Sequence, residues 1–427
     1  MADGKFVQHS LKMVGQKWTV KQTWLLQQSF GRHPPHDTHV KSNSMKITLR
    51  NALKKAFNKF RSVFNRHPKS YEMYDVLVWV VRPFQETFLS SALLELPTSY
   101  KIGVLRHSTR MTADGEWKEL PDGVEAIKIS PDQLRQFRCK VFITPETSKS
   151  SEHFPEAIHY VHVPHSPVSL HMIYPEGNFN AFDTIMAVGQ HHVEEFLRMR
   201  KSEAGVNALV AGYGRMDMLR RQYSEFFVQE GSDEPPSKTI VIAPSWHDGN
   251  ILEIIGIDFT QILLEKGYRV IFRPHYKIAE LKPAFIGKLK GHFSGHKNFK
   301  LDIAGQDSSI FFESDLLVSD YSGIALEYAF LRERPVLFID APPKVRNPNW
   351  HEVELEPIEL FLREKLGRIV SPDIQMLIDE TEKLLDQPGK FFESIVEARN
   401  RYCFNFDAGA GRAIAGHLSK MLENISR

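Results

Sequence analysis

Beyond residue 70 the chain is built from short apolar runs separated by amphipathic or polar segments. Val76–Val81 (VLVWVV) is apolar at every position, as a strand buried on both faces should be. Tyr100–Leu105, Ala126–Ile129, Lys140–Ile143, Ile158–Val163, Phe182–Ala187 and Ala208–Ala211 read as further strands, with a helix over His192–Arg200. A second series follows a polar, Pro-containing segment, Gln229–Lys238 (QEGSDEPPSK). Its strands are Thr239–Ala243, Tyr268–Arg273, Leu301–Ile303, Leu316–Ser319, Pro335–Ile339 and a short one at Ile369–Val370. Helices are expected over Ile251–Lys266, Ile278–Gly291, Gly323–Leu331, Asp373–Leu385, Phe391–Arg401 and Arg412–Ile425. Strands alternating with helices, twice, predict an α/β chain of two Rossmann-like halves facing each other across a cleft. The expected divisions are an extension over 1–69, a first domain over 70–228, a linker over 229–238 and a second domain over 239–427.

Composition narrows this picture without giving a function. The 427 residues are 42% hydrophobic and 25% charged, enough for a real core at a length that favours two domains. Cys139 and Cys403 cannot make a disulfide framework, so a reducing, cytoplasmic setting is expected. No apolar stretch reaches the roughly 18–20 residues that span a bilayer, and the opening MADGKFVQHSLKM has no signal-peptide core. The net charge of +2 makes no case for nucleic acid as a partner. It is also an average over an uneven chain. From Lys41 to Lys69 there are nine Lys/Arg and no Asp/Glu. Within that stretch Leu49, Leu53, Ala56, Phe57, Phe60 and Phe64 recur at helical spacing, with Lys54, Lys55, Lys59 and Arg61 largely on the other side. Such a helix, over residues 45–66, can lie on an anionic membrane surface. The plainer alternative is a helix whose apolar stripe packs on the first domain.

Candidate chemistry sits where strands end, the place open α/β sheets bind ligands. His165 follows the Ile158–Val163 run in the loop Pro164-His165-Ser166-Pro167, where a histidine can serve as a general base or as an ordinary hydrogen-bonded loop residue. Ser245 begins the polar turn Ser245-Trp246-His247-Asp248-Gly249 after Thr239–Ala243. Arg273 and His275, joined by Pro274, can clamp phosphoryl charge. The most informative element is Leu316–Glu327 (LLVSDYSGIALE), a strand, a Ser/Gly turn and a helix start. Amides at Ser322, Gly323 and Ile324 would favour a phosphate or diphosphate, with Ser319 and Ser322 adding hydroxyls and with Ser245 and Asp320 counted among the donor-binding residues. Against that stands plain helix capping by Asp320 or Ser322. Glu327 is one turn further, within reach of a ribose or other hydroxyl. No GxGxxG opens either half, no GxxxxGK[ST] occurs, and no Cys/His spacing suggests zinc.

Taken in order, these motifs resemble the CDP-glycerol glycerophosphotransferase family, the teichoic-acid and capsule polyol-phosphate transferases. The resemblance runs over about residues 155–427 through HVPHSPVSL (162–170), AGYGRMDML (211–219), VIAPSWHDG (241–249), FRPH (272–275), SDLLVSDYSGIALEYAFLRERPVLF (314–338) and RYCFNFDAGAGRAI (401–414). It implies a GT-B-like fold and a peripheral enzyme on the cytoplasmic face of the membrane. That enzyme moves a polyol phosphate from a CDP-linked donor to a lipid-linked or glycan acceptor, releasing CMP. It also implies that His165 and His275 are the catalytic histidines. Ser319, Ser322 and Gly323 fall in the diphosphate turn, and Glu327 matches an acidic position. Arg215 and Asp217 belong to the hinge-side motif. Two motifs depart from the family pattern. Where the family usually has Trp-His-Gly-Thr this chain has Pro164-His165-Ser166-Pro167, and Gly-Tyr-Pro-Arg-Asn-Asp is here Gly212-Tyr213-Gly214-Arg215-Met216-Asp217. Glycerol phosphate is the family's default cargo, with ribitol phosphate or a sugar left open. No cofactor is required by this chemistry, and a role for Mg²⁺ stays open. The competing readings are a GT-B glycosyltransferase using a nucleotide sugar and a non-catalytic membrane- or carbohydrate-binding protein.

Overall fold

In a computed structural model the described residues are 73–110, 120–199, 206–230, 237–303, 308–407 and 409–427. The basic stretch 45–66 lies outside them. Among the described residues thirteen strands form two wholly parallel sheets.

The first sheet has the order β3-β2-β1-β4-β5-β6-β7. Its strands are β1 (Tyr74–Val80), β2 (Ile102–His107), β3 (Glu125–Ile129), β4 (Arg138–Thr144), β5 (Glu156–His162), β6 (Thr184–Ala187) and β7 (Asn207–Val210). The second has the order β10-β9-β8-β11-β12-β13. It comprises β8 (Thr239–Ala243), β9 (Arg269–Phe272), β10 (Phe299–Leu301), β11 (Leu316–Ser319), β12 (Val336–Ile339) and β13 (Gly367–Val370). In both, strand order reverses beside the first strand, at β1/β4 and at β8/β11. Each reversal splays the following loops apart and opens a crevice at the carboxyl ends.

The second sheet shows why its strands read as unbroken apolar runs. Ile240, Ile242, Val270, Phe272, Leu316, Val318, Leu337 and Ile339 enter one core cluster. The alternating Val241, Ala243, Ile271, Leu317, Val336 and Phe338 enter the other, which continues into the first half. Alternate side chains point to opposite faces, and both faces are covered, so every position must be apolar.

Several elements differ from the sequence reading. The expected helix Ile278–Gly291 is two helices, Tyr276–Leu281 and Pro283–His292, because Pro283 has no N–H to continue the first and instead starts the second. A 17-residue helix, Gly214–Glu230, follows β7 and runs two residues into the expected linker; residues 231–236 are not described. Its mixed sequence has a weak apolar stripe, which explains why periodicity does not announce it. The last helix, Ala410–Ser426, follows the second half in the chain but packs on helix Ser90–Glu95 of the first. Gly411 makes that contact: a Cβ there would lie 2.6 Å from Ser91.

Candidate active site

A cavity of about 210 Å³ opens at the carboxyl ends of both sheets. The first half contributes Phe88, His165, Ser166, Tyr174 and Arg215 among others. The second contributes Trp246, Arg273, His275, Ser322, Gly323, Ile324, Glu327, Lys344 and Arg346. Seven of the sequence-chosen residues therefore meet there: His165, Arg215, Arg273, His275, Ser322, Gly323 and Glu327.

The phosphate turn is built by a division of labour among its polar residues. Asp320 is buried, and its Oδ1 accepts from the amides of Ser245 and Tyr321 at 2.9 and 2.7 Å. This carboxylate thus staples the loops after β8 and β11 and does not cap the helix. Ser319 Oγ donates to the Ala243 carbonyl at 2.8 Å, and Ser245 Oγ bonds His247 Nδ1 at 2.7 Å. Ser245, Ser319 and Asp320 shape the turn but do not line the cavity. Ser322 sits at the N-cap of helix Gly323–Arg332 with no side-chain capping bond, and the first turn holds no acidic residue. The helix start is therefore uncapped and lines the cavity, its amides and dipole available to an anion. Gly323 is needed for the fit, since a Cβ would come 2.3 Å from Ser166 Oγ in the opposite half.

The surroundings are cationic. Arg273 is buried beside Asp302 (3.3 Å) and stacks over Phe311 at 4.8 Å. Lys277 and Arg346 lie over the Trp246 ring at 4.0 and 5.3 Å. Desolvation first, then Lys344, Arg346 and Lys277, push the His165 pKa down to about 4. Desolvation, followed by Lys344 and Lys277, holds His275 well below the usual imidazole value. Both rings are neutral near pH 7.

Their hydrogen bonds separate their roles. His275 Nδ1 accepts from the Lys277 amide at 3.2 Å. An amide can only donate, so the neutral ring carries its proton on Nε2 and is a donor there. It cannot take a proton at that nitrogen without first losing one. His165 Nδ1 lies 3.0 Å from Tyr174 Oη, a partner that can donate or accept. Its Nε2 has no protein partner among the described residues, which leaves His165 as the candidate base.

A buried network joins the halves beneath the cavity. Glu327 accepts from Arg215 Nε at 3.0 Å and from Tyr213 Oη at 2.8 Å, and the same hydroxyl is 3.2 Å from the His165 carbonyl. Glu327 is thus engaged by the protein. Asp217 does not line the cavity; it accepts from the Gly411 amide at 2.7 Å, and burial pushes its carboxyl up. Tyr174, Lys344 and Arg346 were not selected from sequence. Lys344 and Arg346 follow β12, so the strand-end rule reaches them; Tyr174 lies beyond a short helix, where no such rule applies. Among the described residues no three His, Cys, Asp or Glu side chains could hold a metal ion together.

Residues 178–342 match the family described as CDP-Glycerol:Poly(glycerophosphate) glycerophosphotransferase. This is the family the motifs resemble. The matched stretch contains the phosphate turn, Arg273 and His275, and begins after His165. A teichoic acid poly(glycerol phosphate) polymerase of Staphylococcus epidermidis is 30% identical over 148 residues, 30% of this chain and 19% of the relative. Its Bacillus subtilis counterpart is 29% identical over 143 residues, 30% of this chain and 18% of that protein. The aligned region thus spans about a fifth of each polymerase. The wall teichoic acid polymerase TagF has a similar fold, with TM-score 0.58 and 18% identity, covering 91% of this chain and 100% of that structure. A UDP-GlcNAc 2-epimerase from Neisseria meningitidis shares the fold more loosely, with TM-score 0.52 and 14% identity over 82% of this chain and 100% of the other. Two Rossmann-like parallel sheets in this arrangement are consistent with a GT-B fold.

Proposed function

We propose that the protein transfers a polyol phosphate, glycerol phosphate by default, from a CDP-linked donor to a hydroxyl of a lipid-linked or glycan acceptor in teichoic-acid- or capsule-like synthesis. The observation that carries this reading is the uncapped start of helix Gly323–Arg332 lining one cavity with a neutral histidine, His165, whose Nε2 has no protein partner among the described residues. The helix amides, Ser322 Oγ and Arg273 would hold the donor's phosphates. The acceptor oxygen would attack the distal phosphorus while its proton passes to His165 Nε2. The bond from that phosphorus to the bridging oxygen breaks, and CMP departs with the bonding pair. His275, through Nε2–H, with Lys344 and Arg346, would stabilise charge on the bridging and non-bridging oxygens. The residues play these parts by position and charge, which is most of what phosphoryl transfer asks of a protein.

Residues 45–66 would bring the enzyme to an anionic membrane surface on the cytoplasmic side, where a lipid-linked acceptor resides. Purified protein incubated with CDP-glycerol, CDP-ribitol and a set of nucleotide sugars, with and without lipid acceptor, tests the main reading by mass spectrometry. CMP and a new phosphodiester are expected. Turnover of a nucleotide sugar to a nucleoside diphosphate, with both CDP-polyols inert, would establish the glycosyltransferase reading instead.

A further inference from the structure

We infer that Tyr174 is a positioning residue that fixes which ring nitrogen of His165 serves as the base. In this arrangement His165 Nδ1–H donates to Tyr174 Oη, and the Nε2 lone pair faces the cavity. The inference rests on the proposed transfer reaction, which needs an acceptor at His165 Nε2; the tautomer itself is a property of the resting protein and is tested there.

The geometry begins with what the ring cannot do. His165 is held at its carbonyl by Tyr213 Oη (3.2 Å), at Nδ1 by Tyr174 Oη (3.0 Å) and along its face by Phe88, with ring centroids 6.4 Å apart. Tyr174 meets it edge-on at 89° and is itself wedged against Phe179 and His162, at 5.1 and 6.3 Å between centroids. Its backbone N–H donates a hydrogen bond to the Leu170 carbonyl (2.8 Å). The loop between them is equally fixed. His191 and His192 bond the carbonyls of Pro167 and Val168, and Glu195 and Glu359 accept from the amides of Leu170 and Ser169. These contacts pack around both rings and hold the loop that carries them, which favours keeping Nδ1 and Oη within hydrogen-bond distance.

The direction of the bond follows from the second histidine. His275 already presents a donor, fixed by the Lys277 amide. The charged groups that act on His165 from the facing elements, Lys344, Arg346 and Lys277, are cations, and His275 and His162 are neutral neighbours. Without Nδ1–H···Oη, the acceptor left among the described lining residues for the proton of an attacking hydroxyl would be chiefly the Glu327 carboxylate, which Arg215 and Tyr213 already engage. With it, Nε2 accepts that proton, and the resulting imidazolium keeps a charge-assisted bond from Nδ1–H to Oη. Tyr174 lines the same cavity, so its own hydroxyl proton can be donated to a phosphoryl oxygen of the bound donor.

The test uses full-length protein labelled with ¹⁵N-histidine, observed by NMR near neutral pH without ligand, with His165→Gln assigning the signal. Wild type should show His165 protonated at Nδ1 and bare at Nε2, and Tyr174→Phe should shift it toward a mixture. A wild-type His165 protonated at Nε2, or a tautomer indifferent to Tyr174→Phe, overturns the inference whatever the enzyme's substrate. In turnover, Tyr174→Phe should lower kcat about tenfold while KM for the CDP-linked donor changes less than about twofold. It should also move the acid limb of the pH profile to lower pH, because the imidazolium loses its acceptor. Tyr174→Gln, which restores an acceptor oxygen, should recover part of kcat. Uniform loss with an unmoved limb and no recovery in Tyr174→Gln would reduce Tyr174 to packing and refute the claim. If no CDP-polyol is turned over while the tautomer behaves as stated, the proposed function fails and the positioning role stands.

Discussion

Replacing Glu327 tests how the two halves are joined. One oxygen of its carboxylate accepts from Arg215 Nε, and the other takes the Tyr213 hydroxyl. The Arg215 and Glu327 side chains are only 9% and 10% exposed, so water cannot replace the lost partner cheaply. Glu327→Leu leaves the guanidinium buried with one remaining bond, Nη1 to Thr87 Oγ1 at 2.9 Å. Stranding one member of such a pair costs about 3–5 kcal/mol, whereas replacing both with apolar residues is often near neutral. The expectation is therefore asymmetric. Glu327→Leu should destabilise by about 3–5 kcal/mol, and Glu327→Leu with Arg215→Met should recover most of that. Urea unfolding followed by tryptophan fluorescence reads the difference, and isothermal titration with CMP reports whether the adjacent phosphate turn survives. If the single substitutions cost under about 1 kcal/mol each and add without coupling, the seam is not held by this pair and the reasoning fails.

Acid should destabilise the fold through buried histidines. Desolvation, the largest cause, pushes His162 and His191 down to about 3, so below about pH 6.5 the unfolded chain takes protons that the folded chain refuses. Each site should remove about 1.4 kcal/mol per pH unit until the folded pKa is reached, and His162→Gln should flatten the measured slope. His165→Ala and His275→Ala should each lower kcat by about 10²–10⁴ with the fold intact by circular dichroism; full activity in either would remove that ring from the chemistry. Arg346→Gln should weaken binding of the CDP-linked donor and raise the His165 pKa, because one of the cations that lower it is gone. An acid limb that stays fixed while KM rises would separate those two effects and contradict the electrostatic account. Loss of residues 1–68 should reduce pelleting with anionic vesicles, and equal pelleting would remove the membrane-docking role.

What was legible in the sequence follows from where the constraint lies. Strands buried on both faces must be largely apolar, so β1, β8 and β11 are visible as runs; β8 and β11 have the expected ends, and β1 starts two residues earlier and stops one earlier. The strand-end rule finds His165, Arg273, His275 and the Ser322–Gly323 turn because topology, not side-chain chemistry, brings them together. The rule cannot say which polar residue is spent on structure. Asp320, Ser319 and Ser245 read as ligand contacts, yet their hydrogen bonds hold two loops in register. Capping was the competing explanation for Asp320 and Ser322, and the structure gives neither of them that bond. Asp217 is four tenths of the chain away from Gly411 in sequence, and only the return of the last helix shows what its carboxylate is for. Tyr174 was invisible because its meaning depends on a 3.0 Å contact across a turn, which no periodicity encodes.

That returning helix has a mechanical consequence. The chain passes from the first half to the second after Glu230 and comes back between Tyr402 and Ala410. The return lies against the start of the outgoing helix: Phe404 and Asn405 bond Val188 and Ala211, and Arg220 reaches the Phe406 carbonyl. At Gly212, φ is +98° and a Cβ would meet the Phe404 carbonyl at 2.3 Å, so the two passes touch where no side chain fits. A joint with one connection can twist as well as bend. Two adjacent connections oppose that twist, and so help preserve the angular alignment of the phosphate turn with His165.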